Sequence, residues 1–406
     1  MTTPVRALSP ASPLRRSLLA AAGASALGLA LPRGVRAQSA GPLRIALLTS
    51  LSGPFASLGE SMRAGLELLI AESGGQMGGR PVQLLVEDDH GKPDEAVRKV
   101  RKLLSQDRAD VLCGIISAAV ALAVRDIVSD AQVPTFVSNA SANALAREAA
   151  SPLIFRPTKT SWMLGHTAAR WAHEHIAQQG GITLASDYAA GREYVGDFVS
   201  TYEGQGGKLS RPMWTPLGTT DFAPLLMNIA AAQPAFLYAF LPGADAVRFL
   251  QQVRDFRLQD KLRILGPGAL FDQEDVLPAA GDAGLGGINT FHQSPGAPAA
   301  AGFVAAYQKV RGRLPGEAST SGYATGQVIR AALEAVDGDV ARKDALKARL
   351  LEATVDTAFG PMRFDARNNQ AILDIYVNDV RRGPDGKPLN TIVHTFEGVR
   401  DPGPAA

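Results

Sequence analysis

The chain has 406 residues, with 41 lysines and arginines against 39 aspartates and glutamates, six histidines and one cysteine. A composition of 46% hydrophobic and 20% charged residues is that of a folded protein rather than a disordered or fibrous one. The near balance of charge leaves no basic footprint for nucleic acid or anionic lipid, and a single cysteine excludes an intramolecular disulfide.

Residues 1–37 read as a cleaved export signal. Basic Arg15-Arg16 precede an apolar run from Leu18 to Leu31, too short for a membrane span, and Val35-Arg36-Ala37 offers the small residues that signal peptidase requires. The paired arginines, with Arg33 and Arg36 nearby, resemble a twin-arginine signal. Cleavage after Ala37 removes Arg6, Arg15, Arg16, Arg33 and Arg36, so 41 basic residues fall to 36 and the formal charge moves from +2 to −3. No cysteine stands directly after the signal core, which argues against a lipid anchor and for a soluble periplasmic protein. The remaining 369 residues exceed what one hydrophobic core usually serves, so two domains are expected.

In chain order, the apolar run Leu43–Leu48 predicts a strand, and residues 60–72 a helix with Met62, Leu66, Leu69 and Ile70 on one face. A strand at Val82–Val86, a helix at Asp94–Ser105 behind Pro93, and a strand at Asp110–Ile116 follow. Cys113 lies in this last run and reads as a small core residue. A helix at Ala118–Ala131, a strand at Pro134–Val137 and a long helix at Trp162–Gln179 complete a first set. Strands that are nearly unbroken apolar runs, joined by helices, imply a parallel sheet covered on both faces. A second α/β set runs through a strand at Ile182–Ala185, a helix from Gly191, strands at Ala235–Phe240 and Leu262–Leu265, and the helix Asp245–Phe256 between them. The chain returns through Gly286–Phe291 to helices at Ala299–Arg311 and Tyr323–Val336. Met362–Phe364, Ile372–Asn378 and Thr391–Phe396, separated by Asn368-Asn369 and Pro384-Asp385-Gly386, read as antiparallel strands.

Several segments, weakly specific alone but strong in their order, resemble the periplasmic leucine/isoleucine/valine-binding protein family. They are Ile45–Gly59 with Leu51-Ser52-Gly53-Pro54-Phe55, Glu87-Asp88-Asp89, Gly114–Ala119, Val137–Ala142, Phe155-Arg156-Pro157, Thr220–Pro224, Gly266-Pro267 and Phe359–Phe364. The resemblance spans essentially the whole mature chain. It implies two doubly wound, Rossmann-like α/β lobes joined by three crossovers, closing over a small ligand that is passed to the permease subunits of an ABC importer in the inner membrane. The crossovers are expected near Arg156–Thr160, Phe291–Ser294 and Ala358–Pro361. Lobe 1 would then comprise residues 41–157 and 293–358, and lobe 2 residues 160–290 and 362–400. A monomer without cofactor is expected.

In open α/β sheets the ligand lies beyond the carboxyl ends of the strands, where loops lead into helix N-termini. Ser117 and Ala118 in one such loop, and Asn139, Ala140, Ser141 and Ala142 in the next, are therefore assigned to a ligand carboxylate. Ordinary helix capping is the competing explanation. Tyr188, Phe240 and Trp162 are candidates to stack on the ligand, with core packing as their alternative. Relatives that bind leucine hold its ammonium with a glutamate where this chain has Gly268; an ammonium buried without a carboxylate partner is costly. Asp187 and Asp245 are the candidates to replace it. Ala118 and Ala142 stand where the relatives carry hydroxyl residues, and Leu58 replaces an aromatic. The segments around Asn143–Arg147, Asp187–Arg192 and Gly243–Ala246 are closer to members associated with aromatic acids. The expected ligand is therefore a carboxylate without an α-amino group, with branched-chain amino acids as the alternative.

Enzymatic chemistry finds little support. His173 and His175 are two apart on a helix and diverge, and Glu87–His90 falls at a strand end. No phosphate-binding glycine loop or nucleophile elbow occurs. A sensor subunit presenting its ligand to a receptor shares the expected fold and remains the other class of function.

Overall fold

The computed structural model describes residues 1–2 and 41–403; the segment read as an export signal lies outside them. Sixteen strands among the described residues form two sheets. The first contains β1 (Leu43–Thr49), β2 (Gln76–Met77), β3 (Arg80–Asp88), β4 (Val111–Gly114), β5 (Thr135–Val137) and β6 (Ile154–Phe155), in the order β2-β3-β1-β4-β5-β6. All its pairings are parallel except the β2–β3 hairpin. Helices α1 (Ala56–Glu72), α2 (Pro93–Ser105) and α3 (Ala118–Asp130) make the crossovers. On α1 the buried residues Leu58, Met62, Leu66 and Leu69 recur at helical spacing; each such side chain contributes roughly 1.5–3 kcal/mol on burial. Cys113 is fully buried in β4, and burial pushes its thiol up to about 12.

The second sheet is built from β7 (Gln179–Ser186), β8 (Lys208–Leu209), β9 (Met213–Thr215), β10 (Phe236–Phe240), β11 (Ile264–Pro267) and β12 (Ile288–Phe291), with a carboxyl-terminal set β13 (Val355–Thr357), β14 (Gly360–Asp365), β15 (Gln370–Arg382) and β16 (Pro388–Val399). β7, β10, β11 and β12 are parallel, and β12 pairs antiparallel with β15. Its helices include α4 (Ser161–His175), α5 (Ala189–Gly204), α6 (Ala223–Ala232) and α7 (Ala244–Asp255). The result is two α/β lobes. Helices α8 (Ala301–Arg311), α9 (Glu317–Glu334) and α10 (Lys343–Glu352) return to the first lobe, where α9 packs along α1. The two backbones meet at Gly65 and Gly322: a Cβ on Gly65 would overlap the Ser319 carbonyl, and one on Gly322 the Met62 carbonyl.

The chain passes between lobes at 156–160, leading into α4, and again after β12 at 292–300. The third passage departs from the expected Ala358–Pro361. β13 packs on α9, β14 on α10, and Phe364 meets Phe155 of β6 edge-on, so this stretch stays with the first lobe. The thirteen-residue β15 makes the transfer, pairing with β14 at its start and with β12 from Tyr376 to Asp379. No helix among the described residues is long and apolar enough to cross a membrane.

Candidate functional site

Each sheet has a point where successive connections leave toward opposite faces: between β1 and β4 in the first lobe, and between β7 and β10 in the second. Loops leaving such a point splay apart and open a crevice. Here the two crevices face one another across a cavity that encloses about 410 Å³ free of protein atoms, part of it open to solvent. Lobe 1 contributes Phe55, Leu58, Ile116, Ala118, Asn139, Ser141 and Glu317, the second lobe Tyr188, Ala190, Tyr194, Phe240, Pro242 and Ala269, and the first crossover Lys159.

Buried polar groups hold these loops. After β1, Ser50 Oγ donates to Asp89 Oδ1 (2.6 Å), while the Leu51 amide and Ser52 Oγ donate to Asp88 (2.9 and 2.7 Å). Glu87 instead pairs with Lys99 and Lys102. The acidic run Glu87-Asp88-Asp89 is thus committed to loop and helix contacts. After β4 the chain turns through Gly114 and Ile115, both at positive φ, where a Cβ on Gly114 would overlap the Leu48 carbonyl. The loop after β5 is organised by Arg156, which is fully buried: its guanidinium donates to the carbonyls of Ala142 (2.8 Å), Ala140 (2.9 Å) and Lys159 (3.2 Å). Burial lowers its pKa to about 10, so it stays charged at neutral pH.

Four aromatic rings line the cavity. Tyr188, at the start of α5, lies 6.4 Å from Phe55 of the first lobe and 6.1 Å from Phe240, centroid to centroid, and Tyr194 packs on Phe240 at 4.4 Å. The lining also holds a buried ion pair, Lys159 Nζ with Glu317 Oε1, at 3% and 6% side-chain exposure. Lys159 Nζ also donates to the Asn139 carbonyl at 2.9 Å. An ammonium has three donors, so these two contacts leave one over. The Asn139 side-chain amide Nδ2 is buried with no hydrogen-bond partner in the protein. Burial lowers the Lys159 pKa while Glu317 opposes the shift; burial with the Glu317 charge raises the phenols of Tyr188 and Tyr194. The cavity can therefore offer aromatic rings together with hydrogen-bond donors.

Of the residues singled out from sequence, Ala118, Asn139, Ser141, Tyr188 and Phe240 come together here. Ser117 is the N-cap of α3, and the Ala140 and Ala142 carbonyls accept from Arg156; none of the three is among the lining residues. Two expectations are corrected. Trp162, in the first turn of α4, stacks on His166 at 4.3 Å, one helical turn further along the same face, and lines a separate surface groove with Arg170 and Phe396. Gly268 does not reach the cavity; its open side is filled by the Phe291 ring, which any Cβ would overlap, and Ala269 lines the wall instead. Asp187 pairs with Arg192, and Asp245 accepts from the Gly218 amide and pairs with Arg248. The acid that does line the cavity, Glu317, and its partner Lys159 escaped the sequence reading. The signal for Glu317 was present in Gly316-Glu317-Ala318-Ser319, where Ser319 Oγ accepts from the Gly316 amide at 3.0 Å and starts the helix six residues before the expected Tyr323.

The sequence family described as periplasmic binding protein matches residues 42–387. A Leu/Ile/Val-binding protein homolog 6 from Brucella melitensis is 29% identical over 373 residues, 89% of this chain and 93% of that protein. The ABC transporter substrate-binding protein from Sphaerobacter thermophilus superposes with a TM-score of 0.83 at 36% identity, covering 89% of this chain and 99% of that one. A solute-binding protein from Rhodopseudomonas palustris BisB5, solved in complex with 3,4-dihydroxybenzoic acid, superposes with a TM-score of 0.84 at 28% identity over 89% of this chain and 99% of its own. With two lobes facing across a lined cavity, the chain belongs to the periplasmic binding protein family and is a substrate-binding protein of the ABC-transporter class.

Proposed function

We propose that this protein captures a small aromatic acid lacking an α-amino group and delivers it to an inner-membrane permease, after export to the periplasm with cleavage near Ala37. One observation carries the reading: the cavity joins the rings of Phe55, Tyr188 and Phe240 to a buried lysine and an unpartnered asparagine amide, while its one lining carboxylate, Glu317, is already paired. An aromatic carboxylate satisfies both ends, the ring by stacking and the charge through donors from Lys159, Asn139 and Ser141. An α-ammonium finds no free acid. The 3,4-dihydroxybenzoic acid bound by the Rhodopseudomonas palustris relative fits the same description. Closure follows if a ligand touches both lobes, since only the closed form then gains from the contact.

The test is thermal unfolding of refolded, ligand-stripped protein with benzoate, 4-hydroxybenzoate, 3,4-dihydroxybenzoate and leucine in turn. A ligand at a hundred times its dissociation constant adds about 2.7 kcal/mol, enough to raise the midpoint by a few degrees. Shifts with the aromatic acids and none with leucine are expected. A shift with leucine alone would overturn the ligand class.

A further inference from the structure

We propose that Lys159 is the specificity-determining residue of the cavity: it masks Glu317 from ligand ammonium groups and turns its remaining donor to the ligand carboxylate. This rests on the aromatic-acid reading above. The two residues are 158 positions apart, Lys159 in the first crossover and Glu317 in the first turn of α9, yet both line the same cavity and both are buried.

The geometry leaves each partner a distinct role. Glu317 is the sole acid among the lining residues, and no acid stands at Gly268 because Phe291 fills that side. Without Lys159, Glu317 would be a buried carboxylate in a cavity lined by four aromatic rings, which is the environment that receives an ammonium. With Lys159 the pair is neutral, and an arriving ammonium must displace a buried lysine. An arriving carboxylate meets the opposite situation. The Lys159 Nζ donors toward Glu317 and the Asn139 carbonyl leave the third for the ligand, next to the unpartnered Asn139 amide on the same loop. A charge-assisted bond to lysine in such a site is among the stronger contacts a small acid can gain. His292, neutral because burial and the nearby Lys159 hold its pKa well below the ordinary value, adds no competing charge.

The experiment measures dissociation constants of benzoate, 4-hydroxybenzoate, leucine and benzylamine by calorimetric titration for the wild-type protein, Lys159→Met, and the double variant Lys159→Met/Glu317→Gln. Lys159→Met should weaken the aromatic acids at least tenfold and gain benzylamine at least tenfold, because the freed carboxylate now accepts the ammonium. The double variant removes both charges, so the cavity stays neutral and its folding does not hinge on an unpaired buried acid. It should lose the acids equally and gain no benzylamine. If Lys159→Met does not fold, the double variant decides alone. Unchanged acid affinity in the double variant would overturn the role of Lys159 and leave the aromatic-acid reading standing. Wild-type binding of leucine with no response to the acids would overturn both.

Discussion

Gly268 shows how one residue constrains the choice of ligand. Its missing side chain makes room for the Phe291 ring, so the position cannot simply be returned to an acid. Gly268→Glu is expected to lower the unfolding midpoint by several degrees, through overpacking worth about 1–3 kcal/mol or more, without creating leucine binding. Calorimetric titration with leucine alongside a melting curve checks both halves. Asp197 on α5 offers a second residue-scale effect. It accepts from Asn143 Nδ2 at 2.8 Å, joining the second lobe to the loop after β5, and burial raises its carboxyl from 3.8 to about 6. A carboxyl whose folded pKa is raised contributes stability that is fully present below its unfolded pKa and is lost as pH rises through the folded one. The stability difference between wild type and Asp197→Asn should therefore change between pH 4 and pH 7 by at most about 3 kcal/mol, with the wild type losing ground as pH rises. Denaturant midpoints at each pH would show it, and parallel profiles would remove Asp197 from the account.

Among the elements, the α1/α9 pair carries the site's geometry. Phe55 and Leu58 at the start of α1 and Glu317 at the start of α9 line the cavity, and the helices are drawn together by Gly65 and Gly322. A methyl at Gly65 meets a backbone carbonyl that cannot rotate aside, so Gly65→Ala should destabilise the protein by about 2 kcal/mol or more, although alanine is the better helix former. Gly196→Ala on α5, with open space around it, should be neutral or slightly stabilising. Equal melting points for the two variants would show that the helices repack without cost. The early start of α9 is also where the sequence reading fell short. Its first turn is small and polar, Ala318-Ser319-Thr320-Ser321-Gly322, and shows no apolar stripe because the helix buries this turn between lobes through hydroxyls and glycine rather than hydrocarbon.

Across the whole molecule, the lobes meet beyond the ligand cavity through the loop after β11. Glu274 of that loop accepts from Ser61 Oγ on α1 (3.0 Å), Tyr307 Oη on α8 (2.7 Å), and Ser319 Oγ (2.6 Å) and the Gly316 amide (3.1 Å) at the start of α9, and pairs with Arg313. Asp272 accepts from the Glu317 amide at 2.7 Å, which ties the same contact to the cavity acid. Removing Glu274 leaves several donors unpaired in the arrangement described and costs an open arrangement nothing. Glu274→Ala is expected to weaken aromatic-acid binding about tenfold or more and to enlarge the radius of gyration of the ligand-free protein in small-angle scattering. An unchanged radius with unchanged affinity would place this contact outside the closing motion.

The alternation of buried strands and amphipathic helices, the two lobes, and the placing of candidate loops at strand ends were legible in the residues alone, because burial and period are written locally in stretches such as Val111–Ile116 and Met62–Leu69. The sequence also marked Tyr188, in a polar loop, and Phe240, at the end of an apolar strand, since both are local features. That Trp162 faces a different groove, that Phe291 occupies the space beside Gly268, and that Lys159 meets Glu317 came from packing in three dimensions. These depend on which side chains from distant segments share one buried volume. A helix rotation of a fraction of a turn, or a strand passing between lobes a few residues later, changes that without altering any local pattern.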